Sequence, residues 1–305
     1  MAHYLIIRTS SLGDIALSLR LIYALANRYP EHRFTYLMKP SITGILVRPP
    51  HNLEAMAIDI RHTDRSILGL LSLARKLKYD RFDAVIDLQR SWRSGFLVRR
   101  LRSFGYNPRC LRIEKTPEVK RSQERIAMPD VPTMLRLFEK TFLRAGLVVE
   151  EPFAPFPRVS YLDIKTDSFA IGIAPLQKQE FDLADLEEIN QLISVLQEQF
   201  PKATLYLFGF NNDTALSQLN VLQNPFPREV KIISKVSFAR ELARLSTLKC
   251  LVCADNSSAH LAQLMGTPTI PLPALKADHR MLLSIIHQIQ SITSKQTVSH
   301  ECENQ

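Results

Sequence analysis

The chain has 305 residues, 46% of them hydrophobic, and its 39 Lys and Arg against 30 Asp and Glu give a formal net charge of +9. This length suits two domains of about 150 residues each, and the positive balance favours anionic partners such as phosphates, nucleic acid or a membrane surface. Four scattered cysteines are too few for a secreted disulfide framework, and no apolar stretch reaches the 18 or so residues of a membrane span. With no recognisable signal peptide, the sequence predicts a cytoplasmic protein.

The first half of the chain alternates short apolar runs with helical patterns. Strands are predicted at residues 4–8, 34–38, 53–60 and 84–88, and helices at residues 15–28 and 68–77. Strands that alternate with helices indicate an α/β fold with a doubly wound parallel sheet.

A proline-rich segment interrupts this alternation. Residues 151–160 contain three prolines and two phenylalanines, so neither a helix nor a central strand is expected there. We therefore predict a linker and two domains, residues 1–155 and 156–305. The second half resumes with strands at 170–174, 204–208, 230–233, 250–254 and 269–272 and helices at 185–199, 238–247 and 259–265, and the polar tail from residue 291 is expected to be loose.

The first candidate site lies where the first strand ends, in RTSSLGDIA. Ser10, Ser11 and Gly13 enter a helix, so their backbone N–H groups are candidates for binding an anion at the helix N-terminus. Asp14 is a candidate base that accepts a proton from a substrate hydroxyl. The alternative is structural: Ser and Asp are favoured capping residues, and Gly13 then serves only the turn.

The second candidate site follows the strand at residues 250–254, in DNSSAH. Asp255, Asn256, Ser257 and Ser258 precede a helix and provide a phosphate-sized set of donors, with His260 one turn further on. The alternative is an N-capped helix with a hydrogen-bonded histidine. Nearby, the CxxC spacing of Cys250 and Cys253 lies inside the predicted strand, where residues three apart face opposite sides, so we expect no metal or redox site.

A basic stretch runs from residue 89 to residue 125, with eleven Lys and Arg against three acidic residues. Arginines such as Arg90, Arg93 and Arg121 bind phosphates and carboxylates well because the guanidinium group makes bidentate contacts. The stretch therefore favours an anionic ligand, and the alternative is a solvated helix face.

Three segments resemble glycosyltransferase family 9, the lipopolysaccharide heptosyltransferases: IIRTSSLGDIALSLRLIYAL, DAVIDLQRSWRS and DNSSAHLAQLMGTPTI. The resemblance implies two Rossmann-like domains facing a cleft, the GT-B type, with the acceptor domain at residues 1–155 and the nucleotide-sugar domain at residues 156–305. It also implies an inverting, metal-independent transferase without a cofactor, which uses ADP-heptose or another nucleotide sugar and acts on an anionic lipopolysaccharide core precursor. We then expect a peripheral position at the inner face of the cytoplasmic membrane.

The resemblance assigns roles residue by residue. Asp14 falls on the catalytic base. The donor-binding set is Lys178, Asp255, Asn256, Ser257, Ser258 and His260, and the acceptor-binding set is Ser10, Ser11, Gly13, Arg90, Arg93 and Arg121. The leaving diphosphate is then stabilised by helix-terminus N–H groups and basic side chains.

The sequence departs from the family pattern at the donor site. Ser257 stands at the family's loop glycine, Asp182 at the position of its donor-binding lysine, and prolines at 271 and 273 in a turn that contains glycine in relatives. These departures indicate a divergent member with altered nucleotide-sugar preference or weakened catalysis. The alternative is a catalytically degenerate relative that binds a nucleotide, glycan or partner protein without turnover. A nucleic-acid partner is not expected, since the chain has no recognisable reader motif.

Overall fold

The computed structural model describes residues 1–59, 62–104, 108–117, 119–120, 131–150, 156–157, 164, 167–176, 183–209, 230–254, 257–272 and 279–302. The chain folds as two compact units, Met1–Pro157 and Arg158–Gln305. Their boundary lies two residues from the predicted one.

Unit 1 is built on a parallel sheet of five strands in the order β3-β2-β1-β4-β5. The strands are β1 (His3–Ile7), β2 (Arg33–Met38), β3 (Leu53–Ala57), β4 (Ala84–Asp87) and β5 (Arg109–Arg112). The central strand β1 is buried because its HYLII sequence is apolar on both faces, as expected for a parallel sheet covered by helices.

The helices of this unit include α1 (Leu12–Arg28), α2 (Ile67–Lys78), α3 (Trp92–Arg102) and α4 (Val131–Arg144), with a short 3-10 helix at Pro40–Ile45. Helix α1 packs with α4, and α2 packs with α3. The α2–α3 pair buries its leucines against alternate residues of β1, Leu5 and Ile7. This alternation leaves Arg8, two positions from Ile6, on the face that contacts α1 and α4.

Unit 2 repeats the same topology, with its five parallel strands in the order β10-β9-β6-β7-β8. The strands are β6 (Ala170–Ala174), β7 (Thr204–Phe208), β8 (Lys231–Ile233), β9 (Cys250–Cys253) and β10 (Thr269–Pro271), and the helices are α5 (Leu183–Gln199), α6 (Phe238–Ser246), α7 (Ser257–Leu264) and α8 (His279–Cys302). The predicted fold class, two Rossmann-like parallel-sheet domains, is confirmed.

The structure corrects two of the predicted elements. The strand predicted at residues 53–60 ends at Ala57, because the Asp59 N–H donates to the Asp64 carboxylate and the chain turns. The tail expected to be loose from residue 291 belongs to α8. Its helix is held by a stripe of isoleucines that packs into the core of unit 2: Ile285, Ile286, Ile289 and Ile292.

Candidate functional site

The sheet of unit 1 changes its direction of winding between β1 and β4. The chain leaves β1 toward β2 on one side and returns to β4 on the other, so the carboxyl ends of β1 and β4 meet at a topological switch point. Ligands of open α/β sheets bind at such a point. The first candidate site predicted from the sequence lies here.

Asp14 lies inside the first turn of α1 with its side chain fully buried. Its carboxylate forms an ion pair with the guanidinium of Arg8, which is also fully buried and donates to the Leu88 carbonyl at 2.6 Å. The same carboxylate accepts a hydrogen bond of 2.8 Å from the Ser11 hydroxyl, and Ser11 and Asp14 together form a capping box. Ser11 and Asp14 therefore cap helix α1, which was the structural alternative to a role in binding or catalysis.

Three backbone N–H groups of this turn have partners within the protein. Those of Thr9 and Ser10 donate to Gln89 Oε1 at 2.9 and 3.1 Å, and that of Ser11 donates to Asp14 at 3.3 Å. The Ser10 and Ser11 N–H groups, which we expect to face an anion, have protein partners in the structure, and their binding of an anion stays a prediction. The reason is tertiary: β4 pairs with β1 in parallel and brings Gln89 to the end of β1.

A second buried carboxylate, Asp87 at the end of β4, organises the turn into α3. It accepts the N–H groups of Gln89 and Arg90 at 3.0 and 2.8 Å, the Ser94 hydroxyl at 2.9 Å and Arg112 Nε at 2.7 Å. Arg90 adopts a left-handed backbone conformation in this turn, with φ of 49°, and its guanidinium donates to the Ile113 carbonyl. These contacts hold the Arg90 side chain toward the end of β5.

A cavity of about 190 Å³ lies beside this turn. At the roughly 30 Å³ that each molecule of liquid water occupies, its volume equals about six waters. Polar side chains meet apolar ones in its lining, which consists of Ile7, Thr9, Ser10, Ile58, Gln89, Ser91, Arg93, Ser94 and Leu97. The structure thus brings the predicted acceptor residues Ser10 and Arg93 together. Arg93 Nε is buried without a hydrogen-bond partner among the described residues, and its guanidinium carbon lies 4.4 Å from the Trp92 ring centroid.

In unit 2, the second candidate site opens at the start of α7, beyond the end of β9. Ser257 is exposed, whereas Ser258 and His260 are buried, at 5% and 4% exposure. Ser258 hydrogen-bonds the carboxylate of Glu241, which comes from the neighbouring helix α6. Burial raises the pKa of Glu241, and the hydrogen bond from Ser258 opposes this shift.

Several predicted site residues lie outside the described residues. These are Arg121 of the acceptor set, Lys178, Asp255 and Asn256 of the donor set, and Asp182 among the departures. Their roles stay predictions.

The thiols of Cys250 and Cys253 are both buried, and neither forms a disulfide bond. Burial raises the pKa of Cys250 to about 12, so this thiol stays protonated at neutral pH. Within the described ranges, no three His, Cys, Asp or Glu side chains come together as metal ligands would.

Comparison with known proteins shows which proteins the chain is similar to. No family model matches it. The lipopolysaccharide core heptosyltransferase OpsX of Haemophilus influenzae is 24% identical over 292 residues, which cover 88% of this chain and 78% of OpsX. Among solved structures, a family 9 glycosyl transferase from Veillonella parvula superposes with a TM-score of 0.68, at 12% identity and 96% coverage of both chains. ADP-heptose lipopolysaccharide heptosyltransferase II of E. coli superposes with a TM-score of 0.63, at 17% identity and 97% and 99% coverage.

These findings confirm the resemblance read from the sequence. The chain is similar over most of its length to a lipopolysaccharide core heptosyltransferase. E. coli heptosyltransferase WaaC, solved with ADP-2-deoxy-2-fluoro heptose, also superposes with a TM-score of 0.62 over 88% of each chain, at 18% identity.

Sequence reasoning missed three residues of the two candidate sites. Gln89 and Asp87 stand at the end of an apolar strand, where their polar side chains meet those of the neighbouring strand. This position at a strand end is the feature of the sequence that could have identified them. Glu241 carries no such signal, because only the packing of α6 on α7 brings it to Ser258.

Proposed function

We propose that this chain is an inverting glycosyltransferase that transfers a sugar, in the first instance heptose from ADP-heptose, to an anionic lipopolysaccharide core precursor. The observation that carries this proposal is the likeness to OpsX, a lipopolysaccharide core heptosyltransferase, over 88% of the chain. The paired parallel-sheet units, each with a candidate site at the carboxyl end of its central strands, support it.

In the proposed reaction, Asp14 accepts the proton of the acceptor hydroxyl as this oxygen attacks the anomeric carbon. The bond from the anomeric carbon to the diphosphate breaks on the opposite face, so the anomeric configuration inverts. Arg8 supplies the counter-charge that keeps the buried Asp14 carboxylate in place. The acceptor hydroxyl reaches Asp14 only if the turn at residues 9–11 opens on binding, since the carboxylate is enclosed by Arg8 and Ser11.

The departing nucleoside diphosphate gains negative charge as the bond breaks. We assign its stabilisation to the first-turn N–H groups of α7 at Ser257 and Ser258, together with Lys178. The proposed chemistry needs neither metal nor cofactor, so chelation with EDTA is expected to leave the rate of transfer unchanged.

The acceptor is assigned to the cavity of unit 1. Its lining offers hydroxyl groups for sugar hydroxyls, and Arg93 offers a buried Nε donor that has no partner within the described part of the chain. Buried donors are nearly always satisfied, so this donor fits an anionic group of the acceptor.

The test of the base is Asp14→Asn, assayed for sugar transfer and for ADP binding by calorimetry. Transfer is expected to fall by at least about a hundredfold, as for other general bases, while ADP affinity stays nearly unchanged. The substitution also leaves Arg8 buried without its counter-charge, which destabilises a protein by about 3–5 kcal/mol, so folding is verified by circular dichroism at the assay temperature.

The matched control is Ser66→Ala, which removes the N-cap of α2 and leaves Asp14 and its partners intact. It is expected to cost about 1 kcal/mol of stability and to retain most of the transfer rate. Full turnover by a folded Asp14→Asn protein contradicts the assignment of the base.

The donor is identified by a thermal-shift panel of ADP-, GDP-, UDP- and CMP-sugars, because a ligand that binds only the folded state raises the melting temperature. We expect the largest rise with the ADP-sugar. No rise with any of them removes the transferase proposal.

A further inference from the structure

Helices α2 and α3 of unit 1 lie side by side and contain no acidic residue. Their side chains include seven cations: Arg75, Lys76, Lys78, Arg93, Arg99, Arg100 and Arg102. All of these except the half-buried Arg93 are exposed. Two adjacent helices therefore present one strongly basic outer surface.

The orientation of this surface is fixed by the core. Leu70, Leu73 and Leu77 of α2 pack with Leu97 and Leu101 of α3 against the sheet, and all five side chains are at most 5% exposed. Because the buried stripe of each helix faces the sheet, the cations on the opposite side face outward.

The basic surface also carries apolar side chains at one end. Ile67 and Leu68 begin α2 and Trp92 begins α3, and these side chains are 57%, 77% and 58% exposed. Both helices start beyond the carboxyl end of a strand of the same parallel sheet, so the three residues lie at one edge of that sheet. The exposed cations lie in the last turn of each helix, so the surface has an apolar end and a basic end. Exposed apolar side chains next to a charged surface are typical of an interaction surface.

The charge of the chain is distributed unevenly between its units. Residues 1–157 contain 26 Lys and Arg against 15 Asp and Glu, a formal charge of +11, whereas residues 158–305 contain 13 against 15, a charge of −2. Unit 1 thus holds the entire positive excess of the protein. The nearby loop before α2 contributes two acids, Asp59 and Asp64, whose carboxylates accept backbone N–H groups of that loop.

We infer that the outer face of α2 and α3 docks on an anionic lipid bilayer, with Ile67, Leu68 and Trp92 at the depth of the headgroups. Lysine and arginine are attracted to anionic lipid, and tryptophan prefers the membrane–water interface. The apolar residues favour a bilayer over nucleic acid, because a phosphate backbone offers them no apolar surface. The inference rests on the proposed function only for its biological setting, a membrane-borne acceptor, and its test does not involve sugar transfer.

The test uses Trp92, the single tryptophan of the chain, as a reporter. The full-length protein is titrated with vesicles of phosphatidylcholine containing phosphatidylglycerol, and with vesicles of phosphatidylcholine alone. We expect the emission of Trp92 to shift to shorter wavelength with the anionic vesicles only, and high salt to reverse the shift. Brominated lipid is then expected to quench the emission.

Two variants separate the contributions of charge and apolar contact. Arg99→Ser with Arg100→Ser is expected to weaken vesicle binding by about fivefold for each cation removed, the equivalent of about 1 kcal/mol each. Ile67→Ser with Leu68→Ser is expected to weaken it by roughly tenfold and to keep its salt dependence. Both variants retain Trp92, so the readout is unchanged.

The matched controls lie on α4, which packs with α1 rather than with α2 and α3. Arg136→Ser with Arg144→Ser removes two exposed cations there, and Leu143→Ser removes an apolar side chain that is 60% exposed. Both controls are expected to bind vesicles like the parent. Three results would each overturn the inference. The Trp92 emission does not change with anionic vesicles, the variants and the controls lose vesicle affinity equally, or the protein binds RNA and not vesicles. ADP binding, measured in parallel, reports the donor site independently.

Discussion

At the scale of single residues, the site of unit 1 contains two buried carboxylates. Asp14 is the proposed base, and Asp87 holds the turn into α3. Asp14 pairs with Arg8, and Asp87 pairs with Arg112; both carboxylates are fully buried. Removing one partner of such a pair leaves an uncompensated charge in the interior. The capping box and the turn into α3 therefore form a framework into which the proposed base is built.

Glu241 is a residue whose protonation is expected to tune stability. Burial raises its pKa above the ordinary value of 4.5, so ionisation is harder in the folded than in the unfolded chain. Its contribution to stability is complete below pH 4.5 and is lost as the pH rises through the raised pKa of the folded state. Glu241→Gln keeps an oxygen that accepts from Ser258 but has no charge to desolvate.

We therefore expect Glu241→Gln to melt at a higher temperature than the parent at pH 8, and the difference to vanish at pH values below 4.5. Melting curves by circular dichroism at a series of pH values measure this difference. The control is Glu187→Gln, an exposed glutamate of α5 in the same unit. A stabilisation of the same size at every pH contradicts the prediction.

At the scale of elements, the packing of β6 depends on a glycine at its centre. A Cβ atom at Gly172 meets side-chain carbons of Leu248 and Leu251 at 2.5 and 2.6 Å and of Phe208 at 3.2 Å. These neighbours are themselves buried, so they have little room to withdraw.

Gly172→Ala is expected to cost about 1–3 kcal/mol of unfolding free energy by overpacking, and Gly172→Val to cost more. Chemical denaturation followed by circular dichroism gives the order of the two variants. Gly44→Ala is the matched control, since a Cβ atom there has no neighbour within 4 Å. Equal stability of Gly172→Ala and Gly44→Ala would show that β6 tolerates a side chain at this position.

At the scale of the whole molecule, the positive charge of unit 1 is expected to make the binding of the acceptor more sensitive to salt than the binding of the nucleotide sugar. Unit 1, with a charge of +11, is the proposed acceptor unit, and unit 2, with a charge of −2, is the proposed donor unit. Electrostatic attraction between exposed charges is screened beyond about 10 Å at 0.1 M salt.

Raising the ionic strength is therefore expected to increase the KM for an anionic acceptor several-fold and to change the KM for the nucleotide sugar much less. Initial rates at a series of salt concentrations measure both constants. Neutral sucrose at matched osmolality serves as the control. A larger effect on the donor than on the acceptor reverses the proposed assignment of the two units.

No helix of the described residues has the length and hydropathy of a membrane crossing. The face that we infer to dock on a bilayer is formed by α2 and α3 of unit 1. The same face is acid-free along two helices, a feature visible only once α2 and α3 are known to be neighbours.

The sequence by itself determined the alternation of strands and helices and the family resemblance. These features depend on local patterns in the chain. An apolar run such as HYLII in β1 indicates a buried strand, and the polar residues directly after it indicate a turn and a helix cap. Helix α3 was missed because its buried leucines stand among arginines, and α8 because its isoleucine stripe continues into a polar tail.

Only the tertiary structure decided what the site residues contact. Gln89 meets Ser10 across 79 positions of sequence, and Glu241 meets Ser258 from another helix. The parallel pairing of β1 with β4 and the packing of α6 on α7 create these contacts. Hydrogen bonds between residues far apart in the chain produce no periodic pattern in the sequence. The Ser10 N–H group, predicted to face a ligand, therefore donates to Gln89, a partner that could be found only by folding the sheet.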